Sequence, residues 1–190
     1  MEGKLIIFSA PSGSGKTTIV HSLLTRNLPL MFSISACTRE PRNNEKDGKD
    51  YYFMTVDEFR NRIKKDEFVE WEEVYKDHLY GTLRSELTRI WNQDKHVLFD
   101  VDVAGGINLK KQFNDRALAL FIMPPSMNVL KERLENRSTD SPEKIKIRLE
   151  KAEKEMEFAD KFDRVIINDQ LDVAIRETHD AITEFLDLTY

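Results

Sequence analysis

Cysteine is almost missing from this chain of 190 residues: Cys37 is the one thiol. One thiol makes no internal disulfide, which fits a reducing compartment. Long apolar runs are missing too. No stretch reaches the length needed to span a bilayer, and the apolar start at residues 5–10 leads into a glycine-rich loop rather than a leader cleavage site. The expectation is a cytoplasmic protein with no membrane partner. Basic charge is not in excess: 29 Lys and Arg stand against 34 Asp and Glu, a formal balance of −5. A dedicated nucleic-acid binder is basic as a rule, so that partner is disfavoured, although a local basic cluster can still hold one small anion. The four histidines, His21, His78, His96 and His179, show no metal-ligand spacing. What the chain does have is 40% hydrophobic and 33% charged residues, a globular mixture with material for a core, and a length that suits one compact domain.

Leu5, Ile6, Ile7 and Phe8 form a continuous apolar run of strand length, the mark of a strand buried on both faces. Residues 17–26 then carry Ile19, Val20, Leu23 and Leu24 at helical spacing. Further buried strands are expected at residues 97–99, 118–123 and 165–167, with amphipathic segments between them. Strands alternating with helices predict an α/β fold with a largely parallel sheet flanked by helices.

Two stretches break that rhythm. Residues 33–83 hold a turn-rich polar loop (Arg39, Pro41, Arg42, Asn43, Asn44, Asp47, Gly48) and aromatic runs at 51–53 and 68–71. They read as an inserted, mostly β subdomain with one short helix near residues 56–65. Residues 126–159 read as a second, helical insert. Met127, Leu130 and Leu134 make one stripe; a second helix starts at Ser141 with Pro142 in its first position, and its stripe is Ile145, Leu149, Ala152, Met156 and Ala159. The tip between them, residues 137–140, is expected to be mobile. The core then comprises residues 1–32, 84–125 and 160–190.

Residues 10–17 read Ala-Pro-Ser-Gly-Ser-Gly-Lys-Thr. The phosphate-binding pattern is Gly, four residues, then Gly-Lys-Ser/Thr; Ala10 stands where its first glycine falls. The rest fits, with a strand before and a helix after. Backbone N–H groups of Pro11-to-Thr18 loop residues Ser12, Gly13, Ser14, Gly15 and onward converge on a phosphate at a helix N-terminus. Gly13 and Gly15 let the backbone curl without a Cβ in the way, Lys16 supplies a point charge for the β- and γ-phosphates, and the Thr17 hydroxyl takes a Mg²⁺ position. Ala10 implies that its position needs no positive φ. The loop predicts a nucleoside triphosphate and leaves the acceptor open.

Arg39 and Arg42 flank Pro41 in the first insert. Such a pair suits bidentate grip of a phosphate on a second nucleotide; a solvated basic loop would look the same from this segment alone. Glu70 sits inside the run Phe68-Val69-Glu70-Trp71, with Tyr80-Gly81-Thr82 a little later. A carboxylate among aromatic residues invites a partner, and guanine offers adjacent N1–H and N2 donors that a carboxylate accepts together. An outward-facing strand residue is the other reading. Asp100 and Asp102 follow an apolar strand two residues apart, placed to approach acceptor or Mg²⁺ waters at a carboxyl strand end, or to cap the next helix. Arg133 and Arg137 share a helix face, and Arg148 lies at the edge of an apolar stripe, able to point inward across a cleft.

Taken together, residues 10–18, 32–42, 47–51, 68–71, 80–82, 98–105, 124–126, 137–140 and 166–169 follow in order the motifs of the guanylate kinases, which the chain resembles over nearly its whole length. The resemblance implies transfer of the γ-phosphoryl group of MgATP to GMP, and to dGMP. It implies that Ser35, Glu70 and Thr82 contact guanine with Asp100 on the same substrate, and that Arg39, Arg42, Tyr51 and Tyr80 hold the acceptor phosphate. Arg42, Arg137 and Arg148 join Lys16 as catalytic charges, and Asn168 lies near the ATP base. Besides Ala10, the chain departs from the family at Cys37, where threonine is common, at Ser138, where glycine is frequent, and in an extra residue within 75–79. Two rivals remain at this point. One is a kinase of phosphorylated sugars, which has no use for a purine-edge reader. The other is a catalytically silent interaction module, which tends to lose the lysine that is present here. Oligomeric state, monomer or homodimer, is not encoded in any motif.

Overall fold

The computed structural model describes residues 3–42, 44–136 and 141–187. In chain order the elements begin with β1 (Leu5–Ser9), α1 (Lys16–Leu24), β2 (Leu30–Phe32), β3 (Ala36–Cys37), β4 (Tyr52–Phe53) and α2 (Val56–Lys64). Then come β5 (Phe68–Tyr75), β6 (His78–Leu83), α3 (Arg84–Trp91), β7 (His96–Asp100) and α4 (Val103–Phe113). The last are β8 (Ala117–Met123), α5 (Met127–Glu135), α6 (Pro142–Met156), β9 (Arg164–Ile167) and α7 (Leu171–Leu186). The architecture is α/β, and the chain forms two compact units. Residues 29–99 make one; residues 4–28 with those from Asp100 onward make the other.

The second unit is built on parallel strands. β1 pairs with β8, Leu5 opposite Ala117 and Ser9 opposite Phe121; β8 pairs with β9, Leu120 opposite Arg164 and Met123 opposite Ile167. Every residue of β1 is buried, as is β8 up to Ile122. That is the outcome of helices on both faces: α4 packs on β1 and β8, and α7 on β8 and β9. The expectation of a doubly buried strand fails at β9. Val165 is 42% and Ile167 54% exposed, and only Ile166 of this strand is buried. β9 has a partner strand on one side, and α7 covers one of its faces. α5 and α6 pack together through Leu130, Leu134 and Ala152, with Met127, Ile145 and Leu149 against them. Ser141 caps α6 through the Lys144 N–H, with Pro142 at the first turn, where its missing N–H costs nothing.

The first unit holds a four-stranded sheet in the order β4-β3-β6-β5. β3 runs parallel to β4 and antiparallel to β6, and β5 is antiparallel to β6. Its core is Ala36, Phe59, Phe68, Leu79 and Leu83, with Phe59 stacked on Phe68 at 4.2 Å between centroids. The short helix expected in this stretch is α2, whose start is fixed by a reciprocal cap between Thr55 and Glu58. β2 and β7 are parallel neighbours in the same unit, Leu30 opposite His96. Among the described residues no helix is long and apolar enough to cross a membrane.

Candidate active site

β1 ends at Ser9 and the chain turns through Ala10 to Gly15 before α1 begins at Lys16. The loop closes on itself with Ser14 N donating to Pro11 O, and Thr18 N donates to Gly15 O as the helix starts. Gly13 and Gly15 have φ of 96° and 93°, the left-handed region; Ala10 is not among the positive-φ residues. This explains why alanine serves at the first pattern position and why the two later glycines do not have the same latitude. Gly15 is the N-cap of α1 and contributes no side-chain cap, and no acidic residue lies in the first turn. The positive end of the helix is left for an anion.

The loop lines a cavity of about 380 Å³ together with Asp100, Val101, Asp102, Arg148, Lys151 and Glu155. Lys16 Nζ is paired with the Asp100 carboxylate and donates to Val101 O at 3.1 Å. Asp102 Oδ1 caps α4 by accepting from Gly105 N at 2.7 Å, so one of its oxygens already has a structural task. Thr17 is exposed at the start of α1. A Mg²⁺ that keeps most of its waters needs only a hydroxyl and one or two carboxylates from the protein, and Thr17, Asp100 and Asp102 fit that donor set. Lys151 and Glu155 were not singled out by the sequence. They sit three and seven residues after Arg148 on α6, a spacing that returns to one helix face. Burial raises the Glu155 carboxyl above its ordinary range, and Lys151 opposes the shift from 3.5 Å.

A second cavity, of about 370 Å³, lies beside the loop and is lined by Gly13, Gly15, Thr18, Arg133, Asn136, Asn168, Asp169 and Leu171. Asn168 is 4% exposed and donates from Nδ2 to Ser14 O at 2.7 Å. Arg133 donates to Asn168 O at 2.8 Å and to Ser14 O at 3.5 Å. The sequence left Arg133 balanced between surface and site; it is a brace between the loop and the end of β9. Arg137 lies outside the described residues.

In the first unit, Glu70 of β5 stands opposite Thr82 of β6 in register. Thr82 is fully buried, and its hydroxyl has no hydrogen-bond partner among the described residues. Arg39 stacks over the Tyr51 ring at 4.8 Å, and Tyr51 meets Tyr80 edge-on at 6.3 Å, so three of the four residues expected around an acceptor phosphate cluster. Arg42 is exposed, and its backbone N–H donates to Glu45. Glu45 itself was not anticipated: both its oxygens accept from Arg39, at 2.6 and 2.7 Å. Those bonds, with the Arg42 N–H, hold its carboxyl down at about 2. Ser35 precedes β3, and its carbonyl accepts from Tyr52 N at 2.9 Å. Sequence reasoning also missed Glu86, a carboxylate 1% exposed on α3; its only signal was Arg89 one helical turn later.

A buried parallel strand, a glycine loop and a helix whose uncapped end carries a lysine define the class of P-loop nucleotide-binding proteins. The comparisons narrow it. The family model for guanylate kinase matches residues 2–185. The guanylate kinase of Bacteroides thetaiotaomicron is 56% identical over 186 residues, covering 98% of this chain and 91% of that protein. That of Porphyromonas gingivalis is 53% identical, covering 96% and 98%. The crystal structure of guanylate kinase from Anaplasma phagocytophilum matches with a TM-score of 0.71 at 30% identity, over 97% of this chain and 85% of that one. The chain belongs to the guanylate kinase family, ATP-dependent nucleoside monophosphate kinases.

Proposed function

We propose that the family's reaction is divided here among three working parts. Residues 1–32, 84–125 and 160–190 form the core that holds ATP, residues 33–83 take GMP or dGMP, and residues 126–159 act as a lid. Pro11, Ser12, Gly13, Ser14, Gly15, Lys16, Thr17 and Thr18 cradle the triphosphate, and Asn168 lies by its base. Lys16 leaves Asp100 for the β- and γ-phosphates. Thr17, with Asp100 and Asp102 through water, holds Mg²⁺, which when bound with ATP neutralises charge on the phosphate oxygens.

On the acceptor side, Glu70 accepts from guanine N1–H and N2, and Ser35 and Thr82 complete the edge. The Thr82 hydroxyl carries this assignment: a buried oxygen without a partner among the described residues, opposite Glu70, wants a hydrogen bond that a base can supply. Arg39, Arg42, Tyr51 and Tyr80 hold the acceptor phosphate, and Asp100 reaches the same substrate. The acceptor oxygen is already ionised, so no general base is needed. Transfer then depends on position and charge neutralisation. Arg137 and Arg148 supply charge from the lid and help exclude water, which would otherwise take the phosphoryl group. Lys16 and Arg148 at one cavity disfavour a silent module, and Glu70 beside Thr82 disfavours a sugar phosphate. The working compartment is the cytoplasm, with ATP and GMP as partners and neither nucleic acid nor membrane.

The test is a coupled assay offering GMP, AMP, UMP and CMP with MgATP. GMP turns over and the others do so weakly; no turnover of GMP overturns the assignment. Glu70→Gln lowers the preference for GMP over AMP by about tenfold or more, since an amide cannot accept both guanine donors. Full discrimination in that variant would remove Glu70 from base reading.

A further inference from the structure

The carboxylate of Glu86 lies in the interior of the first unit and takes four hydrogen bonds. Oε2 accepts from Ile34 N at 2.9 Å and from Arg89 Nη2 at 2.8 Å. Oε1 accepts from the Tyr52 hydroxyl at 2.6 Å and from Arg89 Nε at 2.8 Å. Burial works against its charge, but the bonds from Arg89, Tyr52 and Ile34 outweigh burial and keep the carboxyl below its ordinary range. The other buried positions of α3, Leu87 and Ile90, are apolar. A third apolar residue would complete that face at less cost, because replacing a buried ion pair by packed hydrophobic side chains is often neutral or stabilising. Stability alone therefore does not account for a charge at residue 86.

Its partners do. Residues 33–35 link β2 to β3 without belonging to a strand, and each is tied once. Ser33 N donates to Leu98 O at 2.9 Å, Ile34 N donates to Glu86, and Ser35 O accepts from Tyr52 N at 2.9 Å. Tyr52 closes the circuit, its backbone on Ser35 and its hydroxyl on Glu86; burial and that carboxylate push its phenol up to about 12. The charged and titratable groups facing Glu86 are Arg89 from α3 and Tyr52 from β4; Arg89 in turn touches Met31 Sδ of β2 at 3.2 Å. α3 also begins two residues after Thr82. One carboxylate thus anchors the segment that carries Ser35 to the helix that follows Thr82.

We propose that Glu86 is a positioning residue for base recognition, fixing the backbone of residues 33–35 so that Ser35 meets the guanine edge. This rests on the reading of Ser35 as a guanine contact. Glu86 touches no substrate; it acts through Ile34 and Tyr52.

Glu86→Gln keeps the size and loses the charge that holds Arg89; Tyr52→Phe removes one donor and leaves the carboxylate in place. Initial rates are measured with GMP varied at saturating MgATP, and with MgATP varied at saturating GMP, alongside melting temperatures. The KM for GMP rises about tenfold in Glu86→Gln and about threefold in Tyr52→Phe, while the KM for ATP stays unchanged and kcat changes less than twofold. Ser35→Ala raises the KM for GMP as well, and the double variant Ser35→Ala/Glu86→Gln costs no more than the larger single effect, the mark of residues acting through one path. A folded Glu86→Gln enzyme with a lowered melting temperature and an unchanged KM for GMP overturns the proposal, as do strictly additive effects. Ser35→Ala with an unchanged KM for GMP sinks the guanine-contact reading itself, and the proposal with it. Should Glu86→Gln fail to fold, Tyr52→Phe decides by the same criterion.

Discussion

Lys16 with Asp100, and Arg39 with Glu45, place an ammonium and a guanidinium against carboxylates in a chain whose expected ligands are phosphates. Each cation is held in position by a group that a phosphate would have to displace. The two differ in what the sequence disclosed. Asp100 follows an apolar strand, and the strand-end rule pointed to it. Glu45 sits in a polar loop among other charges, where no periodicity marks one carboxylate above another. Its consequence is testable through acid stability. The folded carboxyl is depressed to about 2, against about 4.3 for an unperturbed glutamate. Its contribution is therefore present above the unfolded value and is lost as pH falls through the folded one. The melting temperature should decline between about pH 4 and pH 2, and Glu45→Gln should flatten that part of the profile while leaving its neutral part nearly level. An unchanged acid limb in the variant would show that the Arg39 bond does not set it.

Among elements, the run of successive buried residues decided what could be read. β1, β7 and β8 announced themselves as apolar runs because each is buried over at least three successive residues. β3 and β4 are two residues long, too short for any period to show, and β5, though eight residues long, is buried only at its first two positions and shows no alternation, so the inserted sheet was legible as a composition and not as strands. α6 was legible at its start, since Ser-Pro is a cap followed by a residue suited to the first turn. The loop–helix junction at Gly15 was legible in the same way, from a backbone requirement that one residue type meets. Gly15→Ala places an L side chain at φ 93° with its Cβ against the Asn168 amide. The expected cost is about 1–2 kcal/mol for the backbone alone. A fall in melting temperature together with a raised KM for ATP would be observed, and a variant with neither change would show that the loop tolerates a second conformation.

For the molecule as a whole, a net charge of −5 repels the substrates that the family uses, so binding rests on local cations rather than on a general field. The division into residues 29–99 and the remainder was visible in the sequence only as a change of rhythm near Ser33. The reason is that residues 97–99 of β7, which belong to the first unit, read like a core strand by composition. Apart from Asp100, the proposed GMP contacts fall in the first unit and the proposed ATP contacts in the second, and hydrogen exchange should report this. GMP alone should slow exchange in β3, β5 and β6, and ATP alone in the start of α1 and around Asn168; protection by GMP confined to the phosphate loop would reverse the assignment of the two sites. One more property follows from burial. The single sulfhydryl of the chain, Cys37, is inaccessible, and desolvation pushes its pKa up, so its reactive thiolate form is scarce while the chain is folded. Alkylation of that sulfur therefore waits on the opening of β3: its rate follows the population of the opened form while reclosing outpaces the reagent, and becomes the opening rate itself once the reagent outpaces reclosing.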